Sequence, residues 1–166
     1  MVDPAEIDET PAPAEPPRDY ALRMAVAKLA VVASRHPGAL VLAADSVVAC
    51  GRRILPKAGS AGEVRACLKL LSGRRHRVLG GVAAAIAGQP SRTRLVETVV
   101  RFKRLETAEI DAYVASGEGE GKAGGYAIQG RAAAFVAFLS GSYSNVVGLP
   151  LFETSALLGA LDGQSI

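Results

Sequence analysis

Ala39-Leu40-Val41-Leu42-Ala43-Ala44-Asp45-Ser46-Val47-Val48-Ala49-Cys50 is the stretch on which the reading of the fold turns. Its apolar run from Ala39 to Ala44 has strand length, breaks at Asp45-Ser46 and resumes as far as Cys50 before Gly51. That pattern predicts a buried strand. An ionised carboxylate set between Ala43-Ala44 and Val47-Val48 is expensive to bury without a partner or a task. Two readings of Asp45 stay open. On AADS alone, a strand-end aspartate capping a turn is the more ordinary one; in the other, the carboxylate opens into a cleft.

Upstream of this strand, apolar residues recur at helical spacing (Leu22, Val26, Leu29, Val32, Ala33), with Arg23, Lys28 and Arg35 between them, until Pro37-Gly38. A helix is predicted over 18–35. Pro4, Pro11, Pro13, Pro16 and Pro17 keep residues 1–17 out of helices and central strands, so an extended lead-in is expected there.

Downstream, Ser60 and Glu63 have capping-box form, and Val64, Cys67, Leu68 and Leu71 mark a helix that stops at Gly73. Residues 77–87 and 93–102 are rich in Val, Leu, Ile and Thr and flank Gly88-Gln89-Pro90-Ser91, which predicts an antiparallel hairpin. A helix is expected over 107–116, capped by Thr107 and stopped by Gly117, then a glycine-rich loop over 117–125. Short strands at 126–129 and 134–139, a polar turn at 140–145 and an amphipathic helix over 150–161 complete the prediction. Strands neither alternate strictly with helices nor cluster at one end. The expectation is an α/β fold with a mixed β-sheet flanked by helices, not a doubly wound parallel one.

The chain of 166 residues suits one domain. The apolar stretches at 25–33, interrupted by Lys28, and at 82–87 fall short of a bilayer of about 30 Å, so no membrane partner is expected. The opening Met1-Val2-Asp3-Pro4 has no basic start leading into an apolar core, and a cytoplasmic location is expected. Cys50 and Cys67 lie far apart with no CxxC spacing and read as buried small hydrophobes. The net charge is only +3, and the basic run Arg74-Arg75-His76-Arg77 ends at Val78-Leu79. It reads as a solvated loop more readily than as a nucleic-acid patch, and no nucleic-acid partner is expected.

Lys28 and Lys57 can each offer a point charge to phosphate oxygens, though taken alone both read as solvated lysines. Lys122-Ala123-Gly124-Gly125-Tyr126-Ala127-Ile128-Gln129-Gly130 combines glycines that permit close backbone approach, a lysine for phosphate and a glutamine able to donate to and accept from a base edge. Read without that chemistry, it is a glycine-rich turn entering a strand. Gly119, Gly121 and Gly124 satisfy GxGxxG, but a helix precedes them and a strand-like segment follows, the reverse of a dinucleotide fingerprint. Gly121-Lys122 is followed by Ala123, which cannot ligate magnesium as a P-loop requires. Gly141-Ser142-Tyr143-Ser144 lacks the glycine that a nucleophile elbow needs two places after its serine.

Taken in order, Glu6–Glu9 (EIDE), Asp45 in AADS, Ile54–Lys57, Leu71–Val78 (LSGRRHRV), Tyr113–Glu118 (YVASGE), KAGGYAIQG and Gly141–Leu151 (GSYSNVVGLPL) resemble the Maf-like family over nearly the whole chain. The last two motifs are the specific ones. The resemblance implies a Maf/ITPase-like nucleotide pyrophosphatase architecture. It also implies hydrolysis of a nucleoside triphosphate to the monophosphate and pyrophosphate with a divalent cation, magnesium or manganese.

On the matching positions, Asp45 resembles the family's catalytic carboxylate, Glu9 and Asp45 its metal partners, and Lys28 and Lys57 its phosphate-holding lysines. Lys122 joins the substrate-binding set. Ser46 and Gln129 resemble the pair that selects the base, with threonine commoner at the first. The glutamine resembles the branch preferring dTTP, UTP and modified pyrimidine nucleotides. A homodimer is likewise implied.

The family's opening apolar strand, SxSPRR-type loop and following helix have no counterpart before EIDE here. The expectation is therefore a single Maf-like domain over 1–166, truncated at its N-terminus and short of one phosphate cradle. The competing expectation is a weak or inactive nucleotide-binding remnant with a regulatory role linked to septum formation.

Overall fold

The computed structural model describes residues 1–161. Pro17, whose fixed φ suits a first helical position, starts helix α1 (Pro17–Arg35), and the residues before it form neither helix nor strand. Strand β1 (Leu40–Cys50) follows, then a short β2 (Arg53–Leu55), α2 (Ala61–Leu71), and the long strands β3 (Arg75–Ile86) and β4 (Arg92–Phe102). Helix α3 (Thr107–Ser116), a 3₁₀ turn (Arg131–Phe135), β5 (Val136–Ser140), α4 (Tyr143–Val147) and α5 (Leu151–Leu161) complete the order.

The strands form one sheet in the order β2-β1-β3-β4-β5. The α/β class with helices against one sheet stands, but every strand pairing among the described residues is antiparallel, where a mixed sheet was expected. β1 carries on without interruption through Asp45 and Ser46, paired to β3 from Leu40↔Ile86 to Ala49↔Arg77. Asp45 is therefore a mid-strand residue, and the turn-capping reading is excluded. The strand is also less buried than its composition suggested: Leu40 and Leu42 are exposed near its start, where β1 has no outer neighbour.

Alternation along the strands gives the sheet two differently covered faces. Val47, Ala49 and Leu79 pack against Tyr20, Ala21 and Met24 of α1. A Cβ added to Gly81, the partner of Asp45, would lie 2.2 Å from the Ala21 carbonyl oxygen, so a bare backbone here lets α1 lie close beside Asp45. The opposite face carries the larger core, in which Val48, Val78, Val100 and Phe102 meet Leu68 of α2 and Tyr113 of α3, together with Tyr126 and Phe135. α4 sits farther along the same face, where Asn145 fills the space that a side chain at Gly80 would need.

Several local expectations change. Glu106, not Thr107, caps α3, in a capping box with Glu109. In α2, Ser60 accepts from the Glu63 amide, but the Glu63 carboxylate accepts from Gly59 rather than from Ser60. Residues 126–129 are not a strand; after left-handed turns at Gly124 and Gly125 they pass into the 3₁₀ turn. The polar segment at 140–145 contains the start of α4, capped by Ser142. Both cysteines are free, with Cys67 buried and Cys50 only partly so. No helix among the described residues is long and apolar enough to cross a membrane.

Candidate active site

Positions i, i+4 and i+7 of a helix share one face, and Ala21, Ala25 and Lys28 have that spacing. The two alanines are fully buried against the sheet, so Lys28 is carried on the sheet-facing stripe of α1 rather than on its solvent side. Its Nζ donates to Asp45 Oδ1 at 2.6 Å and lies 2.7 Å from Glu9 Oε1. Lys57, just past β2, donates to the other Glu9 oxygen at 2.6 Å. Thus Glu9, Lys28, Asp45 and Lys57, predicted from four separate stretches of chain, form one continuous chain of ion pairs. Tyr20 adds a contact not anticipated from sequence, donating its phenol to the Glu9 carbonyl at 2.6 Å. The signal available was its place on the apolar face of α1, four residues before Met24.

Asp45 is 7% exposed. Burial raises its carboxyl above the ordinary aspartate value, and the bond to Lys28 pulls it only part of the way back. Burial works against the charge of Lys28 as well, but its bonds to Asp45 and Glu9 outweigh that and hold its pKa above the ordinary lysine value. Glu9 is desolvated too, yet the hydrogen bonds from Lys28 and Lys57 lower it overall. Asp45 is accordingly the better proton acceptor of the two carboxylates, with a cation fixed beside it.

Glu9, Asp45 and Lys57, but not Lys28, line a cleft of about 250 Å³ together with Tyr20, Ser46 and Pro56. A second pocket of about 120 Å³ lies against Ser46, Lys122, Tyr126, Gln129 and Gly148. Consecutive strand residues point to opposite faces, so the Asp45 and Ser46 side chains lie on different sides of the sheet, and only Ser46 of the two reaches the second pocket. The structure therefore separates the predicted site into two groups: Glu9, Lys28, Asp45 and Lys57 on the α1 side, and Ser46, Lys122 and Gln129 on the other. Lys122 does not join the other two lysines.

The two pockets nevertheless share Ser46 and Ala123 as walls. β2 pairs only with Val48, Ala49 and Cys50, which leaves the outer edge of β1 free of a strand at Asp45-Ser46. The two pockets adjoin at that edge. Backbone bonds hold both walls in step: Ala58 donates to Lys122 at 3.1 Å, Gly121 to Ala58 at 2.7 Å and Gly124 to Pro56 at 3.2 Å. A groove of about 840 Å³ runs the other way along residues 1–7 and 39–44 and takes in Glu9 and Lys28 but not Asp45.

Glu9 and Asp45 direct one oxygen each at the same ammonium, so a single cation already bridges them. Hard carboxylate oxygens converging in this way suit magnesium or manganese. No group of three or more His, Cys, Asp or Glu able to hold a metal occurs among the described residues. Such an ion would complete its shell with phosphate oxygens and water, as magnesium ordinarily does.

A family model described as Maf-like protein matches residues 1–161. A protein of Paramagnetospirillum magneticum named dTTP/UTP pyrophosphatase is 61% identical over 158 residues, covering 95% of this chain and 83% of that protein. Proteins of the same name in Caulobacter vibrioides and Rhodospirillum rubrum are 61% and 62% identical over 160 and 157 residues. These alignments cover 96% and 95% of this chain and 83% and 75% of those proteins.

Proposed function

The chain belongs to the Maf-like protein family, and from that premise we propose that it is a nucleoside triphosphate pyrophosphatase acting on dTTP and UTP. The observation that carries this reading is the chain of ion pairs joining Glu9, Lys28, Asp45 and Lys57 beside a cleft that shares Ser46 and Ala123 with the pocket around Gln129. A linear, highly charged substrate with a flat base at one end matches a cleft carrying both lysines and carboxylates beside a small pocket.

The triphosphate lies on the α1 side, where Lys28 and Lys57 act as point charges for its oxygens. The base enters the second pocket, where the Gln129 amide donates to and accepts from its edge and the Ser46 hydroxyl lies alongside. Asp45, its basicity raised by burial, accepts a proton from a water molecule as that water's oxygen bonds to the α-phosphorus. The bond from that phosphorus to the bridging oxygen breaks, and pyrophosphate leaves with its charge offset by the lysines. Glu9 and Asp45 would hold a magnesium or manganese ion, which would supply Lewis-acid withdrawal of charge from the phosphates.

Incubation with UTP or dTTP and magnesium tests this reading through its products. Equal amounts of nucleoside monophosphate and pyrophosphate are expected. Release of inorganic phosphate with the diphosphate, or no turnover, would overturn it.

A further inference from the structure

The Leu71–Val78 segment contains a histidine that the reaction does not use. His76, on β3, is 1% exposed and lines neither pocket of the site. Its Nε2 shares a 2.8 Å hydrogen bond with the phenol of Tyr126, which does line the pocket around Gln129. Burial lowers the pKa of His76 to about 4, so it is a neutral, fixed partner and not a proton shuttle near neutral pH. Phe102 meets both rings edge-on, its centroid 5.0 Å from that of His76 and 4.8 Å from that of Tyr126.

The next residue of the loop is tied as well. The Ala127 amide donates to the phenol of Tyr113 at 3.0 Å, and Tyr113 stacks edge-on against Phe135. Residues 126–129 belong to no strand, so no ladder of backbone bonds fixes them. Their place against the sheet is set by these two side-chain bonds and by the burial of Tyr126 and Ile128.

We infer that His76 and Tyr113 are positioning residues for base selection, holding the Gln129 loop in register through Tyr126 and Ala127. The inference rests on the proposed seating of the base at Gln129. The reason is geometric: a pocket that discriminates by hydrogen bonding does so only while its donor and acceptor stay on the partner atoms, and a displacement of about 1 Å is costly.

The test uses H76F, which keeps a ring and loses the bond, and Y113F, which removes one hydroxyl. kcat and KM for UTP and CTP are measured with dissociation constants for UMP and CMP, alongside thermal unfolding. In each folded variant, the preference for UMP over CMP and for UTP over CTP is expected to fall about tenfold, through KM rather than kcat. His76→Gln, whose amide can bond the phenol, should recover part of the preference. Unchanged preference in both variants, a uniform loss of kcat for both nucleotides, or a wild-type protein that does not distinguish UMP from CMP would overturn the inference. Should the wild type bind UMP selectively yet hydrolyse neither triphosphate, the proposed activity falls, while the binding ratios still decide the roles of His76 and Tyr113.

Discussion

Replacing Lys28 with methionine removes the charge between Glu9 and Asp45 while keeping most of the aliphatic stem that lies along the sheet. An exposed ion pair contributes at most about 1 kcal/mol, whereas breaking a buried pair costs about 3–5 kcal/mol. The Asp45 side chain is 6% exposed and that of Lys28 is 19%, so the pair lies between those limits. A loss of about 2 kcal/mol at neutral pH is expected after the discount for solvent.

The sign of its pH dependence follows from Asp45. Burial already raises that carboxyl in the folded state, and loss of Lys28 raises it further, while the unfolded chain keeps the ordinary value. Between those two values the folded protein binds the extra proton, so stability falls as pH rises through the window. The deficit of K28M should therefore widen with pH. Urea unfolding of wild type and K28M at pH 5, 6.5 and 8 should give a gap below about 1 kcal/mol at pH 5 and about 2 kcal/mol at pH 8, with the same m-value. A gap that is constant with pH, or absent at pH 8, would refute the reasoning.

His76 acts in the opposite sense. Its pKa of about 4 in the fold lies below the ordinary 6.5, so between those values only the unfolded chain takes up the proton and stability drops as pH falls. Urea midpoints followed from pH 7 to 4.5 should lose most of about 3 kcal/mol to this group, and H76F should flatten that portion; equal slopes would assign the proton elsewhere. Gly81→Ala places a Cβ against the α1 backbone and should cost at least about 2 kcal/mol in thermal unfolding, whereas a wild-type midpoint would mean that α1 yields easily. Gln129→Ala should narrow the preference for UTP over CTP while leaving the triphosphate cluster intact, and an unchanged ratio of kcat/KM values would reject its role in base selection.

Much of the fold was legible because periodicity and punctuation agreed in α1, α2 and the β3–β4 hairpin. Asp45 was harder to place, since composition marks aspartate as a strand breaker. In the fold, a lysine delivered by α1 bonds that carboxylate and the bare Gly81 beside it lets α1 lie close, and the strand runs on through Asp45. Tyr126–Gln129 has the residue types of a strand, but the positive φ angles of Gly124 and Gly125 turn the chain away from the sheet. In the site, the residues that sequence grouped as one set occupy two faces of the sheet. Adjacent positions in a strand cannot share a pocket except around an edge, and the position of that edge depends on how far β2 runs along β1.

The central claim is that the buried Asp45 carboxylate drives hydrolysis at the α-phosphorus. Its most direct test is pyrophosphate release from UTP by Asp45→Asn, measured beside the wild type at saturating magnesium, with far-UV circular dichroism as a check on folding. A folded D45N protein should show kcat lowered by at least about 100-fold, the lower bound for loss of a general base. A folded D45N protein that releases pyrophosphate at the wild-type rate would contradict the claim.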